Sequence, residues 1–227
     1  FPAANVVLDL DQPRVAVLFE DHFNYLSKMC LLRMRAAAFT MLRAAKACGG
    51  VAIVSGSDAT DNLAKYFASG ADYILIGEGE ITLAELLDSL FHTEIRKPVL
   101  SEAKDPKSEI RGLALRNQDG TITRTPPREY LRELDALPFP EWDLIDIEKY
   151  RRAWTSRHGY FSLNLATTRG CPYHCNWCAK PVYGQRYNSR SPENVVAEMQ
   201  MLQSKYAPDH LEFADDIFGL KPDWLER

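Results

Sequence analysis

Three of the five cysteines lie within eight residues, in the segment T-R-G-C-P-Y-H-C-N-W-C-A. Cys171, Cys175 and Cys178 are separated by three and then two residues, so one loop can bring their thiolates to a small inorganic cluster. A 4Fe-4S cluster normally takes four cysteines. Because Cys30 and Cys48 are distant in sequence, one iron would keep an open position, as catalytic metal sites do. The spacing therefore predicts a 4Fe-4S cluster that can bind a ligand.

Two other interpretations of the cysteines stay open. The first is a structural zinc site in which His174 or another residue completes the ligand set, although zinc sites usually use two separated pairs of ligands and the sequence offers no second pair. The second is a packed or redox-active cysteine cluster. Gly170 favours the cluster-wrapping loop because glycine permits close approach of the backbone, and Pro172 stiffens the first gap.

The CxxxCxxC spacing, with the aromatic Trp177 just before the last cysteine, resembles the radical S-adenosylmethionine superfamily. The resemblance implies that the open iron chelates the amino and carboxylate groups of S-adenosylmethionine. It also implies that an electron from the cluster cleaves this molecule to a 5′-deoxyadenosyl radical, with Trp177 beside the adenine. A small-molecule substrate and an electron donor such as flavodoxin or ferredoxin are implied as partners.

The sequence after the cysteines narrows the resemblance. R-S-P-E-N-V-V-A-E-M-Q followed by H-L-E-F-A-D-D-I-F is similar to radical enzymes that carry an N-terminal cobalamin-binding domain. There an acidic motif at the end of the second barrel strand binds the amino group of S-adenosylmethionine. Asp215 and Asp216 occupy this place, and carboxylates at a strand end can accept hydrogen bonds from an ammonium group. Solvated acids at the start of a loop are the alternative.

The N-terminal part alternates short apolar runs with helical segments. We predict strands over 15–19, 51–54 and 73–76, and helices over 26–47, 61–68 and 82–91. This order indicates an α/β fold with an open, doubly wound parallel sheet of the Rossmann type. Ligands bind such sheets at the carboxyl ends of the strands. The predicted binding rim therefore consists of the loops at 20–23, 55–60 and 77–80.

Two segments resemble the cobalamin-binding domain of the same enzymes. S-G-S-D-A-T is similar to its penultimate strand loop, and G-A-D-Y-I-L-I-G-E-G-E-I-T-L-A-E-L-L-D-S-L is similar to its last strand, turn and helix. The resemblance implies cobalamin binding by Ser55, Gly56, Thr60, Gly77, Glu78 and Gly79. There are two departures from the better-known cobalamin proteins. No loop supplies a histidine ligand to cobalt, and Asp58 stands where related sequences often carry histidine. A domain that only braces the barrel is the alternative.

The middle of the chain is rich in charges and prolines. G-L-A-L-R and T-I-T-R-T flank a turn at 117–120, which predicts a hairpin with a small sheet of its own. The final part reads as strand, cysteine loop, helix over Pro192–Tyr206 and strand, the start of a partial (β/α) barrel. We thus expect a partial cobalamin-type domain over 1–95, a linker over 96–160 and the start of the radical domain over 161–227, in a chain truncated at both ends.

Composition limits the remaining function classes. The formal net charge of -4 gives no field that attracts a phosphate backbone, so no nucleic-acid partner is expected. No apolar run approaches the roughly 20 residues that span a bilayer, and no signal peptide precedes the chain, so we expect a cytoplasmic location. The predicted activity is a radical transferase that functionalises an unreactive carbon, by cobalamin-dependent methyl transfer or oxidative cyclisation. The alternatives are a radical enzyme without cobalamin, such as one that thiomethylates RNA, and a zinc-binding interaction module.

Overall fold

The computed structural model describes residues 11–19, 31–92, 109–176 and 183–227. The chain divides into two compact units, with the division between Tyr130 and Leu131. Within the ranges that the structure describes, no helix is both long and apolar enough to cross a lipid bilayer.

A five-stranded sheet forms the centre of the first unit, with its strands in chain order. The elements of this unit are β1 (Val15–Phe19), α1 (Leu31–Ala47), β2 (Val51–Ser55), α2 (Ser57–Asp61), α3 (Leu63–Ala68), β3 (Tyr73–Leu75), α4 (Glu80–His92), β4 (Leu113–Arg116) and β5 (Ile122–Arg124). Strands β1, β2 and β3 are parallel, as predicted. The loops that follow β2 and β3 therefore lie at the same end of the sheet, the carboxyl ends of its parallel strands.

Apolar side chains cover both faces of this sheet, which explains why β2 is a continuous apolar run. Val54 and Ile74 pack with Leu42 of α1 on one face. Ile53 and Leu75 pack with residues of α4 on the other face. Successive residues of a strand point to opposite faces, so a strand covered on both sides must be apolar throughout. The prediction of a Rossmann-type α/β fold is confirmed.

The hairpin has the predicted turn, but it does not form a separate sheet. Its first strand, β4, pairs antiparallel with β3, and β5 pairs with β4. An edge strand leaves backbone donors and acceptors unpaired, and β4 satisfies those of β3. The expectation of a small sheet of its own was therefore wrong. The three-part division at 1–95, 96–160 and 161–227 stays a prediction.

The segment after β2 also differs in detail from its prediction. A single helix was expected from about residue 61. Instead, α2 begins at Ser57 and ends at Asp61, and Asn62 separates it from α3. Asn62 has φ -124° and ψ 38°, outside the helical region. The early start brings Asp58 into the first turn of a helix that follows β2 without a loop.

The second unit contains two small sheets and two longer helices. Its elements are α5 (Ile147–His158), β6 (Ser162–Leu165), β7 (Thr168–Arg169), β8 (Asn188–Ser189), α6 (Pro192–Tyr206) and β9 (His210–Phe213), with 3-10 turns at Leu134–Ala136, Trp142–Leu144 and Pro222–Trp224. Strands β6 and β9 are parallel, and β7 pairs antiparallel with β8. Leu163 packs against Leu202 and Tyr206 of α6. This is the predicted strand, loop, helix, strand unit.

Helix α6 begins as its sequence predicts. The Ser191 hydroxyl accepts a hydrogen bond of 3.1 Å from the amide of Asn194, and Pro192 occupies the first turn. Helix α5 was not predicted. Its signals are Asp146, whose carboxylate caps the amide of Lys149 at 2.9 Å, and Gly159, which ends the helix in the left-handed conformation. Because Ile147 is its one buried residue, α5 lacks the apolar stripe that identifies most helices.

Candidate functional site

The cysteine loop leaves the carboxyl end of the parallel pair β6 and β9. Strand β6 ends at Leu165, the short strand β7 follows, and Cys171 comes two residues after β7. Strand β9 ends at Phe213, and Asp215 and Asp216 follow it on the same side. The two sequence features that the resemblance relates to S-adenosylmethionine thus leave neighbouring strand ends.

The carboxylate of Asp215 binds the backbone at the end of β6. Its Oδ1 accepts hydrogen bonds from the amides of Thr167 at 2.7 Å and Thr168 at 2.8 Å. Its Oδ2 accepts a third, of 2.6 Å, from the Thr167 hydroxyl. Asp216 is exposed and makes none of these three bonds. The two neighbouring acids therefore have different surroundings.

Arg190, two residues before the start of α6, contacts the same backbone segment. One guanidinium nitrogen donates to the carbonyl of Ala166 at 2.8 Å and to the carboxylate of Glu198, and the Arg190 amide donates to the Thr167 carbonyl at 2.9 Å. The Glu198 side chain is 2% exposed, so this ion pair is buried. An eight-residue separation from Glu198 is not a helix-neighbour spacing, so no local pattern signals the pair.

Gly170, just before the first cysteine, lies against backbone. It has φ +83°, and a Cβ atom built on it would lie 2.2 Å from the carbonyl oxygen of Arg186. No side chain fits at that distance, and the positive φ disfavours other residues as well. The prediction that Gly170 permits close approach of the backbone is confirmed, and the approaching backbone is that of Arg186.

The cysteines themselves are described in part. Cys171 is half-buried and Cys175 is exposed, as is His174. Cys178 and Trp177 lie outside the described residues. Among the residues that the structure does describe, no three His, Cys, Asp or Glu side chains form a group that could hold a metal ion. Thiolates are the ligands that iron-sulfur clusters take, so the motif has suitable chemistry for the predicted cluster.

The rim of the first unit brings together the residues after β2 and β3. Ser55 is fully buried, and its Oγ has no hydrogen-bond partner in the described part of the chain. A Cβ atom on Gly79 would lie 2.8 Å from this Oγ and 2.9 Å from the Phe19 ring. Gly77 has φ +78°, a conformation that favours glycine. Gly79 therefore leaves room for the Ser55 hydroxyl and the Phe19 ring, and the buried hydroxyl keeps hydrogen-bonding capacity that a ligand could use.

The remaining predicted residues of this rim have local partners or positions. The Thr60 hydroxyl donates to the carbonyl of Gly56 at 2.9 Å, so its proton is used within α2 while its oxygen can still accept. Glu78 is buried between β3 and α4. The loop predicted at 20–23 lies outside the described residues.

Asp58 makes a charged network in the first turn of α2. The carboxylate accepts from the Nε of Arg35 at 2.6 Å, from the Tyr66 hydroxyl at 2.8 Å and from the side-chain Nδ2 of Asn62 at 3.0 Å. Burial raises the pKa of Asp58, but the hydrogen bonds and the positive charge of Arg35 outweigh it and hold this pKa below its ordinary value of 3.8. Asp58 is thus ionised and fully engaged, a role that sequence reasoning did not find.

Three comparisons place these features among known proteins. An uncharacterized methyltransferase of Pyrococcus horikoshii is 32% identical over 150 residues, which cover 66% of this chain and 29% of that protein. An anaerobic magnesium-protoporphyrin IX monomethyl ester cyclase of Synechocystis is 28% identical over 145 residues, or 64% of this chain and 26% of the cyclase. The solved structure of OxsB, a cobalamin-dependent S-adenosylmethionine radical enzyme with aqua-cobalamin and S-adenosylmethionine bound, matches with a TM-score of 0.64.

The chain resembles a segment of the cobalamin-dependent radical S-adenosylmethionine enzymes. The match to OxsB covers 97% of this chain at 19% identity, so the shared fold extends over both units. No family model matches the chain. The chain spans less than a third of these proteins, 29% of the methyltransferase, 26% of the cyclase and 28% of OxsB.

Proposed function

We propose that this chain is the cofactor-binding part of a radical S-adenosylmethionine enzyme that functionalises an unreactive carbon of a small molecule. The observation that carries the proposal is the place of the cysteine motif. Cys171 and Cys175 lie on a loop at the carboxyl ends of a parallel strand pair, the end where α/β folds bind their ligands. The fold shared with OxsB supports the same interpretation.

In the proposed site, Cys171, Cys175 and Cys178 hold a 4Fe-4S cluster. When bound, the cluster supplies the electron that cleaves S-adenosylmethionine and thereby generates a radical. The chain's own residues bind and orient this cosubstrate: Trp177 packs beside the adenine, and the acidic pair Asp215 and Asp216 supplies the carboxylate that accepts hydrogen bonds from the amino group. The electron donor is a protein such as flavodoxin or ferredoxin.

We further propose that the rim of the first unit binds cobalamin. Support comes from the buried Ser55 Oγ, which has no partner among the described residues, and from Gly79, where a larger residue would collide with it. Burying an unpaired hydroxyl typically costs about 1–3 kcal/mol, which a ligand acceptor or donor can recover. Gly56, Thr60, Gly77 and Glu78 complete the proposed contact set. Cobalamin chemistry would deliver a methyl group or assist a ring closure, as the names of the two sequence relatives suggest.

Anaerobic reconstitution of the full chain with iron and sulfide tests the cluster. We expect a broad absorption band near the blue edge of the visible, and an electron paramagnetic resonance signal after reduction that changes when S-adenosylmethionine is added. The variant in which Cys171, Cys175 and Cys178 are all alanine should lose the band and the signal. Cys48→Ala, which removes a thiol from the end of α1 in the other unit, is the matched control and should keep both.

Metal analysis of the protein as isolated separates this proposal from its main rival. Zinc held tightly at about one ion per chain, with no iron uptake during reconstitution, would make the site a structural zinc module. Titration of the full chain with aqua-cobalamin tests the second cofactor independently. A cluster without any cobalamin binding would leave a radical enzyme that does not use cobalamin.

A further inference from the structure

Asp215 and Asp216, the two acids after β9, differ in their hydrogen bonds and in their exposure. We propose that Asp215 is a positioning residue, which holds the backbone from which the cysteine loop leaves, so that of the acidic pair Asp216 alone keeps the ligand role that the proposed function gives it. This assignment rests on the proposed function and makes it specific, since the sequence treats the two residues alike.

Asp215 already uses most of its hydrogen-bonding capacity within the protein. A carboxylate offers about four acceptor positions, and Asp215 uses three of them on Thr167 and Thr168. The Thr168 hydroxyl in turn donates to the carbonyl of Ile217 at 2.9 Å, so the two segments are joined in both directions. An ammonium ligand would have to compete with two amides and a hydroxyl for Asp215. Asp216 is exposed, and no such donors reach its carboxylate from the residues that the structure describes.

The carbonyl groups of the same backbone segment are also bound. Arg190, just before α6, donates to the carbonyls of Ala166 and Thr167, and the buried Glu198 of α6 holds the guanidinium in place. The peptide groups from Ala166 to Thr168 are therefore bound from two sides, through their amides by Asp215 and through their carbonyls by Arg190. Cys171 follows three residues later, with Gly170 fixed against Arg186 between them.

The loss of such a positioning residue should lower the affinity of the site for its metal. Groups that orient the ligands of a metal, without touching it, change metal affinity or activity by about 10–100-fold when they are replaced. Asp215→Asn offers one acceptor oxygen and places an NH₂ group against the donors of Thr167 and Thr168. We expect it to loosen the start of the cysteine loop before any cofactor is bound.

The experiment compares three variants of the full chain, Asp215→Asn, Asp216→Asn and Asp209→Asn. Asp209 is the matched control, because its carboxylate also binds a backbone amide, that of Phe161 at 2.8 Å, but at the amino end of the same strands. Three quantities are measured: amide hydrogen exchange of Thr167 and Thr168 in the cofactor-free protein, iron per chain after reconstitution, and the change that S-adenosylmethionine causes in the electron paramagnetic resonance spectrum.

We expect Asp215→Asn to speed exchange at Thr167 and Thr168 by about tenfold or more and to lower iron affinity by about 10–100-fold. Asp216→Asn should leave both quantities as in the wild type and abolish the spectral response to S-adenosylmethionine. Asp209→Asn should speed exchange at Phe161 while iron uptake and the spectral response stay normal.

The assignment is overturned if Asp215→Asn exchanges and takes up iron like the wild type but no longer responds to S-adenosylmethionine, because Asp215 would then be the ligand. It is also overturned if Asp209→Asn loses iron as strongly as Asp215→Asn, because the effect would then be general destabilisation. A wild type that takes up no iron refutes the proposed function instead, and the exchange comparison in the cofactor-free protein still tests whether Asp215 holds the loop.

Discussion

Arg35 and Asp58 form a two-pronged ion pair in which two guanidinium nitrogens donate to different carboxylate oxygens. The Asp58 side chain is 4% exposed and that of Arg35 is 16% exposed. Removing one charge of a buried pair leaves the other uncompensated, which typically costs about 3–5 kcal/mol. We expect Asp58→Asn to lower the free energy of unfolding by about 3 kcal/mol in urea denaturation at neutral pH. Glu148→Gln, which breaks the surface pair with Arg151, should cost less than about 0.5 kcal/mol.

The same carboxyl predicts a pH dependence. Folding lowers the pKa of Asp58, so its contribution to stability is complete above the unfolded pKa and is lost as the pH falls towards the folded one. The difference in unfolding free energy between wild type and Asp58→Asn should be constant from neutral pH to about pH 5, and it should shrink below that value. A difference that persists unchanged to about pH 2 would show that the carboxylate charge is not what stabilises this site.

Replacing Gly170 separates backbone strain from steric collision. Gly170→Ala adds a Cβ atom at 2.2 Å from the Arg186 carbonyl oxygen, whereas Gly159→Ala has nearly the same φ, +81°, and open space around it. The left-handed conformation alone costs alanine about 1–2 kcal/mol. We expect Gly159→Ala to lose about that amount and to keep its iron uptake, and Gly170→Ala to lose more and to take up little iron. Equal losses in both variants would argue against a tight fit at Gly170.

Ser55 offers a test that moves stability and ligand binding in opposite directions. Ser55→Ala removes a buried hydroxyl that has no partner in the described residues, so the cofactor-free chain should keep its stability or gain up to about 1 kcal/mol. Its affinity for aqua-cobalamin should fall by about tenfold, the equivalent of one lost hydrogen bond. Thermal unfolding and a cobalamin titration measure the two effects.

The control for Ser55 is Thr82, a buried hydroxyl in the same unit that has partners. Thr82 donates to the Arg111 carbonyl at 3.1 Å and accepts from Arg128 at 3.0 Å. Thr82→Val should therefore cost about 1–3 kcal/mol, because it removes the acceptor of the Arg128 Nε and the nearer donor to the Arg111 carbonyl. Similar losses in the Ser55 and Thr82 variants would mean that the Ser55 hydroxyl is satisfied in the free protein.

Glu198 provides a buried charge that can be removed without touching the cysteine loop. Glu198→Gln leaves the guanidinium of Arg190 uncompensated, and we expect a loss of about 3 kcal/mol together with weaker iron uptake. Glu193→Gln, on the same helix, breaks an exposed pair with Arg227 and should change neither quantity measurably. If Glu198→Gln lost stability but bound iron normally, Arg190 would have no part in holding the loop.

Local sequence patterns predicted most of the elements, because those elements depend on apolar runs and capping residues. Strand β2 and helix α6 were found within a residue of their observed bounds. Helix α5 was missed because its residues are polar on nearly every side, and only its two caps identify it. The hairpin was found, but its pairing with β3 depends on which edge of the sheet is open, and no local pattern contains that information.

In the candidate site, too, local sequence predicts some features, whereas others depend on contacts between distant residues. The cysteine spacing, Gly170 and the acidic pair are all readable from consecutive residues. The bond between Asp215 and Thr167 joins residues 48 apart, and the bond from Arg190 to the Ala166 carbonyl joins residues 24 apart. Such partners become visible once the topology is known, since hydrogen bonds between distant residues leave no periodicity in the sequence.

The pairing of β6 with β9 also bears on the order of events during folding. Ser162 and His210 stand opposite each other although 48 residues separate them, and the cysteine loop, β7, β8 and α6 all lie within that span. Closing so long a loop lowers the entropy of the chain before the strand contacts can offset this loss. Parallel pairing of distant strands is slow for this reason. We expect α6 to form early and the strand pair late, so the cysteines become an organised set of ligands near the end of folding.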